Sequence, residues 1–460
     1  MNAHVPLVEV PLYERQQKIY PREIAGRFAR LRTLSVWVLL GIFYLFPWLE
    51  WGDRQAVLFD LPARKFFIFG LVFWPQDFIF LTLLLVIAAL SLFFFTAVAG
   101  RLWCGYACPQ TVWTEAFLWM ERVTEGDRAA RQKLDRAPWS VAKLARKGAK
   151  QFLWVTFALW TGFTFTGFFT PIHTLATEIA AGSADAWEAF WILFYGFATY
   201  GNAGYLREQV CKYMCPYARF QSAMFDRDSL IITYDTVRGE PRGACKRGAD
   251  PRVTGNGDCI DCTWCVQVCP TGIDIRKGLQ IECIACAACI DACDTVMHKV
   301  GSPRGLIRYT TQHAVDHQKT RLLRPRVLIY GALLASLVAG FIVSLVLRAP
   351  LSLDVIRDRN ALYRVTEEGA VDNVYTVRIL NKTEHAQRVV LSARGRSALA
   401  VLPAGREYAV PSGAVYSIPV RVRRAAEAPP GPETILLAVH STDAWDVHVE
   451  TQARFLAPSR

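Results

Sequence analysis

Cys259-Ile260-Asp261-Cys262-Thr263-Trp264-Cys265-Val266-Gln267-Val268-Cys269-Pro270 is followed a little further on by Cys283-Ile284-Ala285-Cys286-Ala287-Ala288-Cys289-Ile290-Asp291-Ala292-Cys293-Asp294. The two runs share one pattern, C-x2-C-x2-C-x3-C. Three thiolates at this spacing wrap three irons of one cubane, and the fourth is carried by the following turn to the other cluster. The pattern therefore assigns Cys259, Cys262, Cys265 and Cys293 to one [4Fe–4S] cluster. It assigns Cys283, Cys286, Cys289 and Cys269 to a second. Zinc, the rival metal, takes two separated cysteine pairs rather than four cysteines in eleven residues. Asp294 stands where such a run usually has proline, which changes the turn and removes no ligand. Ile260, Val266, Ile284 and Ile290 sit between the thiolates and are expected to keep water off the sulfurs.

All 13 cysteines fall between residues 104 and 293. Four of the others repeat a rarer motif. Cys104-Gly105-Tyr106-Ala107-Cys108-Pro109 and Cys211-Lys212-Tyr213-Met214-Cys215-Pro216 both read C-x-Y-x-C-P, and each follows an arginine, Arg101 or Arg207, at the end of an apolar stretch. Positions i and i+4 share one face of a helix, so each motif is expected to offer two thiols on one side. If the two helices are neighbours, four sulfurs meet at the membrane surface, where soft thiolates favour Cu(I), zinc or iron–sulfur chemistry. The plain alternative is inert buried cysteine beside a helix-ending proline. Met214 adds a candidate thioether, and Cys245 is read as an incidental thiol in a Gly/Arg/Pro-rich linker.

Outward from these motifs the chain alternates between lipid-type and water-type segments. It has 460 residues, 52% of them hydrophobic, and a mean hydropathy of +0.20. That suits a chain part membrane and part soluble. Apolar runs near 34–51, 78–100, 152–170, 187–206 and 327–347 are expected to span a bilayer. Phe66 to Trp74 is too short to do so and is read as interfacial or as an extension of the second span. No cleavable signal peptide is expected, because the first 33 residues are polar and basic.

The amino-terminal tail carries six Lys or Arg and segment 101–151 carries ten, against three in 52–77 and none in 171–186. The positive-inside rule then places the tail, 101–151 and 207–326 in the cytoplasm and sends 348–460 across the membrane. Disulfides are not expected in that reducing compartment. The formal net charge of +12 is thus read as topology signal and lipid contact. No groove-reading motif supports nucleic-acid binding.

Residues 354–460 contain short alternating stretches, Val374–Leu380, Arg388–Leu391, Val415–Val422 and Thr434–Val439, separated by turn residues. They predict a β-sandwich with a docking or folding-support role. His313 and His317 are read as a solvated helix face, and His173 as an interfacial residue. The domain plan is a basic tail (1–33), four spans carrying both C-x-Y-x-C-P motifs (34–226), and a cytoplasmic segment (227–326) with the two-cluster fold near 250–300. A fifth span (327–347) and an exported immunoglobulin-like domain (348–460) complete it. The fold class is accordingly a multi-domain membrane protein: an α-helical bundle, an inserted 2×[4Fe–4S] ferredoxin-like α+β segment and a C-terminal sandwich.

Taken in order, the basic tail, the spans, the paired C-x-Y-x-C-P motifs, the run ending Cys289-Ile290-Asp291-Ala292-Cys293-Asp294 and the sandwich resemble one family. It is the cytochrome c oxidase accessory protein family of the CcoG/FixG/RdxA type. The resemblance implies a bacterial inner-membrane protein that supports assembly of cbb3-type oxidases. It also implies reduction of Cu(II) to Cu(I), with Cys104, Cys108, Cys211 and Cys215 as the catalytic, copper-facing residues. Two [4Fe–4S] clusters are the implied cofactors, with copper as substrate or ligand. The implied partners are membrane lipid, copper ions, a cytoplasmic electron donor, and oxidase-assembly and copper-handling factors; a homodimer is left open. Two other functions compete: a quinol-oxidising subunit similar to the NapH-type ferredoxin-like proteins, and a non-catalytic assembly scaffold.

Overall fold

The structure, a computed structural model, describes residues 18–244, 255–321, 323–358, 361–443 and 447–459. Cys245 lies outside them. The chain divides into two units: Met1–Phe46, Val86–Gly167 and Leu175–Ala335 form one, and Pro47–Leu85, Phe168–Thr174 and Ser336–Arg460 the other.

Three helical segments among the described residues are long and apolar enough to cross a membrane: Arg27–Trp48, Pro75–Ala99 and Pro325–Val346. Their side chains are largely bare in the isolated chain. Trp37, Leu85 and Val343 are all exposed, an arrangement stable only where lipid covers them. The protein is a membrane protein. The remaining two expected spans form helices of another kind. Val141–Thr166 starts with four basic residues, Lys143, Arg146, Lys147 and Lys150, and becomes apolar only beyond them. Ala186–Thr199 is short and continues as a π-helix over Tyr200–Leu206. These two pack face to face at Gly162, where a Cβ would run into the Ile192 carbonyl oxygen, the close approach that small residues permit between membrane helices.

The charges of segment 101–151 do more than signal topology. The fully buried Glu121 side chain pairs with Arg131 at 3.1 Å and Arg207 at 3.0 Å, and the buried Glu125 with Lys147 at 3.0 Å and Lys150 at 2.9 Å. Burial opposes the ionised form of Glu121, yet Arg207, Arg131, Lys18 and Lys150 together hold its carboxyl below the usual range. Elsewhere in this unit, strands Ile231–Tyr234 and Ile307–Thr310 pair antiparallel and bracket the cysteine runs.

The second unit contains the expected sandwich. One sheet has the order Leu399–Leu402, Val415–Arg424, Val371–Asn381, Leu351–Arg357, and the other Glu407–Val410, Gln387–Arg394, Glu433–Ser441, His448–Phe455. Alternate residues face inward, so Tyr375, Val377, Val389, Ile435, Leu437 and Phe455 are wholly buried between the sheets. The reading of Phe66–Trp74 as an extension of the second span is corrected. Lys65–Ile68 and Leu71–Phe73 join Val57–Asp60 in a three-stranded antiparallel sheet. Arg64 and Phe69 turn the chain with φ of 55° and 50°, which breaks the apolar stretch into strands of three and four residues. In the same unit the buried Asp77 carboxylate takes Arg348 from the end of the last span and, at 3.1 Å, Lys382 of the sandwich.

Candidate functional site

The two cysteine runs fold alike. Asp261 and Thr263 flank Cys262 with φ of 52° and 57°, and Ala285 and Ala287 flank Cys286 with φ of 53° and 59°. None is glycine, and each such residue costs on the order of 1–3 kcal/mol. The same strain at the same positions of both copies is what wrapping a short loop around a compact body requires. A helix follows each loop, Trp264–Gln267 in the first and Ala288–Val300 in the second.

Each loop encloses a small, mainly apolar cavity. Cys259, Cys262, Cys265 and Cys293 line one of them, below Tyr234 and Met297. Cys269, Cys283, Cys286 and Cys289 line the other, with Cys265 also on its wall. The crossed sets expected from the spacing are the sets brought together. Burial pushes the Cys265, Cys283 and Cys293 thiols up to about 12. Cys265, Cys259 and Cys262 raise Cys293 further, and Cys286, Cys283 and Cys269 do so for Cys289. Alone, such thiols remain protonated at neutral pH; iron displaces the protons and supplies the missing positive charge. Four sulfurs in each of two dry cavities suit a pair of [4Fe–4S] clusters.

The membrane-edge motifs come together by a different route from the one expected. Cys104 lies in the helix Leu102–Tyr106, which ends before Cys108; Cys108 is extended, with ψ of 128°, ahead of Pro109. Cys211 lies in a π-turn, Val210–Met214, and Cys215 is extended ahead of Pro216 with ψ of 109°. A residue preceding proline is driven out of the helical region, so neither pair shares a helix face. Both segments leave the helix at the residue before proline, and the thiols lie within electrostatic reach of one another. Burial raises Cys211 to about 12, and Cys108, Cys104 and Cys215 raise it too. Cys104, raised by burial to about 11, feels Cys108 and Cys215 and contacts Gln221 Oε1 at 3.4 Å.

Two of these thiols, Cys104 and Cys211, adjoin the second cluster loop. Cys104 and Cys211 pack on the same apolar cluster as Cys286 and Cys289. Gly105 has no room for a side chain: a Cβ would lie 2.8 Å from Ile284 O and 2.9 Å from both Ala285 O and Cys286 Cα. Arg101, buried, donates to the Ile281 and Ala218 carbonyl oxygens and at 3.5 Å to Cys283 O. Cys211 and Cys286 share the wall of one small cavity with Arg32, Glu115 and Pro270.

Sequence reasoning missed these supports, and one more. Asp291, between two cluster cysteines, accepts the Phe28 N–H at 3.3 Å and the Ala29 N–H at 2.7 Å, so its carboxylate caps the first span from 262 residues away. The helix has no cap of its own, because its N-cap residue is Gly26, on which a Cβ would strike the same carboxylate. The glycine at that position was the signal available in the sequence. Asp294 accepts the Gly305 N–H at 2.8 Å, which accounts for an acid in the place of proline. His313 is no solvated helix residue, since its Nδ1 meets Asp228 Oδ1 at 2.8 Å. His317 falls beyond that short helix, in a turn with φ of 55°.

Comparison with known families matches three parts of the chain. A 4Fe–4S dicluster domain covers residues 206–312, a 4Fe–4S binding domain covers 80–124, and the immunoglobulin-like fold found at the C terminus of FixG covers 341–458. Among curated proteins, the nitrogen fixation protein FixG of Rhizobium meliloti is 42% identical over 437 residues, 87% of this chain and 83% of that protein. Protein RdxB of Cereibacter sphaeroides is 42% identical over 405 residues, 85% and 84% of the two chains. Protein RdxA of the same organism is 40% identical over 409 residues, 85% of each. A crystal structure of a FixG-related protein from Vibrio parahaemolyticus aligns with 24% of this chain and 96% of its own, at 28% identity and a TM-score of 0.21.

Proposed function

The chain belongs to the FixG/Rdx family of iron–sulfur membrane proteins, and from that premise we propose that it is a cupric reductase serving the assembly of cbb3-type oxidases. The observation that carries the reading is the grouping of Cys104, Cys108, Cys211 and Cys215 within electrostatic reach of one another, with Cys104 and Cys211 packed on the apolar cluster of Cys286 and Cys289.

When bound, the clusters supply single electrons, the number that converts one Cu(II) to one Cu(I). The chain's own residues do the rest. Cu(II) prefers nitrogen and oxygen, whereas Cu(I) suits thiolate, so the four cysteines hold the product form and shift the couple toward reduction. These thiols release protons as copper binds. Gln221 positions Cys104, and Arg101 and Gly105 hold the motif against the cluster loop. The basic surfaces support a cytoplasmic placement for this machinery, with the sandwich exported, and with a cytoplasmic electron donor and copper-handling factors as partners.

The test uses anaerobically purified protein. Iron, sulfide and EPR signals are quantified, the protein is reduced with dithionite, excess reductant is removed, and Cu(I) formation is followed with a Cu(I)-specific chelator. Changing all four membrane-edge cysteines to serine is expected to abolish rapid Cu(I) formation at unchanged iron content. Reduction that survives the change detaches these residues from the chemistry.

One observation favours a second reading, quinol oxidation. A cleft of about 240 Å³, walled by Phe43, Pro109, Trp113, Phe165, Tyr195 and Asn202, opens beside Cys108. Aromatic walls with a few polar groups suit a flat ring. Cluster reduction by a soluble quinol analogue, with no Cu(I) formed from Cu(II), would select that reading instead.

A further inference from the structure

The outer face of the sandwich carries a constellation that the cysteine chemistry does not use. Strands Glu433–Ser441 and His448–Phe455 are antiparallel neighbours, and His440 stands directly opposite His448. Val439 and Leu437 point into the core, so the alternation of the strand turns His440 outward, and the register places His448 beside it. The two imidazole Nδ1 atoms are 3.0 Å apart. On its other side, His448 Nε2 lies 2.6 Å from Glu450 Oε1.

That last contact decides the chemistry of the ring. A carboxylate only accepts, so Nε2 carries the proton and donates it, and the Nδ1 of a neutral His448 keeps its lone pair, which accepts the His440 Nδ1–H. A histidine whose far nitrogen is held by a carboxylate is the usual arrangement of a metal-bound imidazole, because the carboxylate fixes tautomer and orientation and makes the ligand more basic. His440 Nδ1 is the donor in that hydrogen bond, and an ion that takes both nitrogens releases its proton. Metal–nitrogen bonds of about 2.0–2.1 Å drawn to two nitrogens 3.0 Å apart subtend roughly 94° at the ion. A tetrahedral ion, with an angle near 109°, needs the nitrogens about 3.3 Å apart at the same bond length. The near-right angle is that of neighbouring positions in a tetragonal array, the preference of Cu(II) with nitrogen and oxygen donors. The His448 side chain is 40% exposed, so an ion reaches the pair from solvent, and water fills the other positions.

We propose that His440 and His448 form an exchangeable Cu(II)-binding site on the immunoglobulin-like domain, with Glu450 holding the His448 ring. The site goes beyond the cupric-reductase reading and is independent of it. It binds the ion through imidazole and carries out no electron transfer.

The experiment is a Cu(II) titration of the purified full chain with its clusters oxidised, read by EPR. One equivalent of Cu(II) gives an axial spectrum with hyperfine splitting from two imidazole nitrogens. In the His440→Ala/His448→Ala chain that splitting is lost. Glu450→Gln keeps it but weakens binding on the order of tenfold in a competition titration. The chain with Cys104, Cys108, Cys211 and Cys215 changed to serine retains the full signal, which separates this site from the four thiols. Two-nitrogen splitting that persists without both histidines, or that vanishes with the four cysteines, overturns the proposal. So does an absence of nitrogen splitting in the unaltered chain. An unchanged melting temperature in the double histidine variant shows that the sandwich is intact.

Discussion

Removing the Asp291 carboxylate tests whether the cluster segment is fastened to the first membrane helix. Asp291 is buried and accepts the Phe28 and Ala29 amides at 3.3 Å and 2.7 Å. These are two of the four amides that a helix start leaves unpaired, and the carboxylate also suits the positive end of the helix dipole. A hydrogen bond to a charged group contributes about 1.5–3 kcal/mol. The bond to Ala29 is short, and the longer one to Phe28 counts for less, so Asp291→Ala should weaken the first turn by about 3 kcal/mol. Asn keeps one acceptor and loses the charge, for a cost of about 1 kcal/mol.

Hydrogen exchange on detergent-purified protein reads this directly, because local opening sets the exchange rate of these amides. At about 1.4 kcal/mol per factor of ten, Asp291→Ala should speed exchange of the peptide covering residues 27–33 by roughly 100-fold, and Asp291→Asn by roughly fivefold. A peptide in the sandwich, such as 435–441, serves as the internal control. If protection over 27–33 in the alanine variant stays within about threefold of the unaltered chain, the carboxylate is not holding the helix, and the reasoning fails.

Other perturbations probe other contacts. Gly105→Ala puts a methyl group 2.8–2.9 Å from three backbone atoms of residues 284–286. A cost of about 1–3 kcal/mol and slower Cu(I) formation at unchanged iron content are expected; an unaltered rate would show that this contact does not matter. Glu121→Gln strands Arg131 and Arg207 and should destabilise the helical unit by about 3–5 kcal/mol, read as a lowered thermal midpoint by circular dichroism. Because Glu121 is held below its ordinary value, its contribution is complete above about pH 4.3, the unfolded carboxyl value. It fades as pH falls through the lower folded value, so the gap between Glu121→Gln and the unaltered chain should be constant near neutrality and narrow below about pH 4.3. Stripping iron with a chelator leaves the eight cluster cysteines without their metal, and the strained turns at 261, 263, 285 and 287 lose their support. Residues 255–300 should then lose exchange protection while the sandwich keeps it.

What the sequence determined by itself is local. Ligand spacing within each cysteine run is set by the geometry of a cubane and a few residues of chain, so the crossed pairing of Cys293 with the first loop and Cys269 with the second could be read directly. Alternation along a strand is equally local, and Val374–Leu380 and Thr434–Val439 fall within observed strands. Nearest-neighbour pattern failed where two local preferences competed. Pro109 and Pro216 override the helix that would have set each cysteine pair on one face, and the turns at Arg64 and Phe69 fold an apolar stretch into hairpins.

Tertiary structure alone decided which distant segments touch. No periodicity relates Asp291 to the start of the first span, Gly105 to the carbonyl oxygens of 284 and 285, or Glu121 to Arg207. Each depends on how whole helices pack. A basic residue counted as a topology signal is, from sequence, indistinguishable from one buried against a carboxylate, because that difference lies in the electrostatic environment that packing creates.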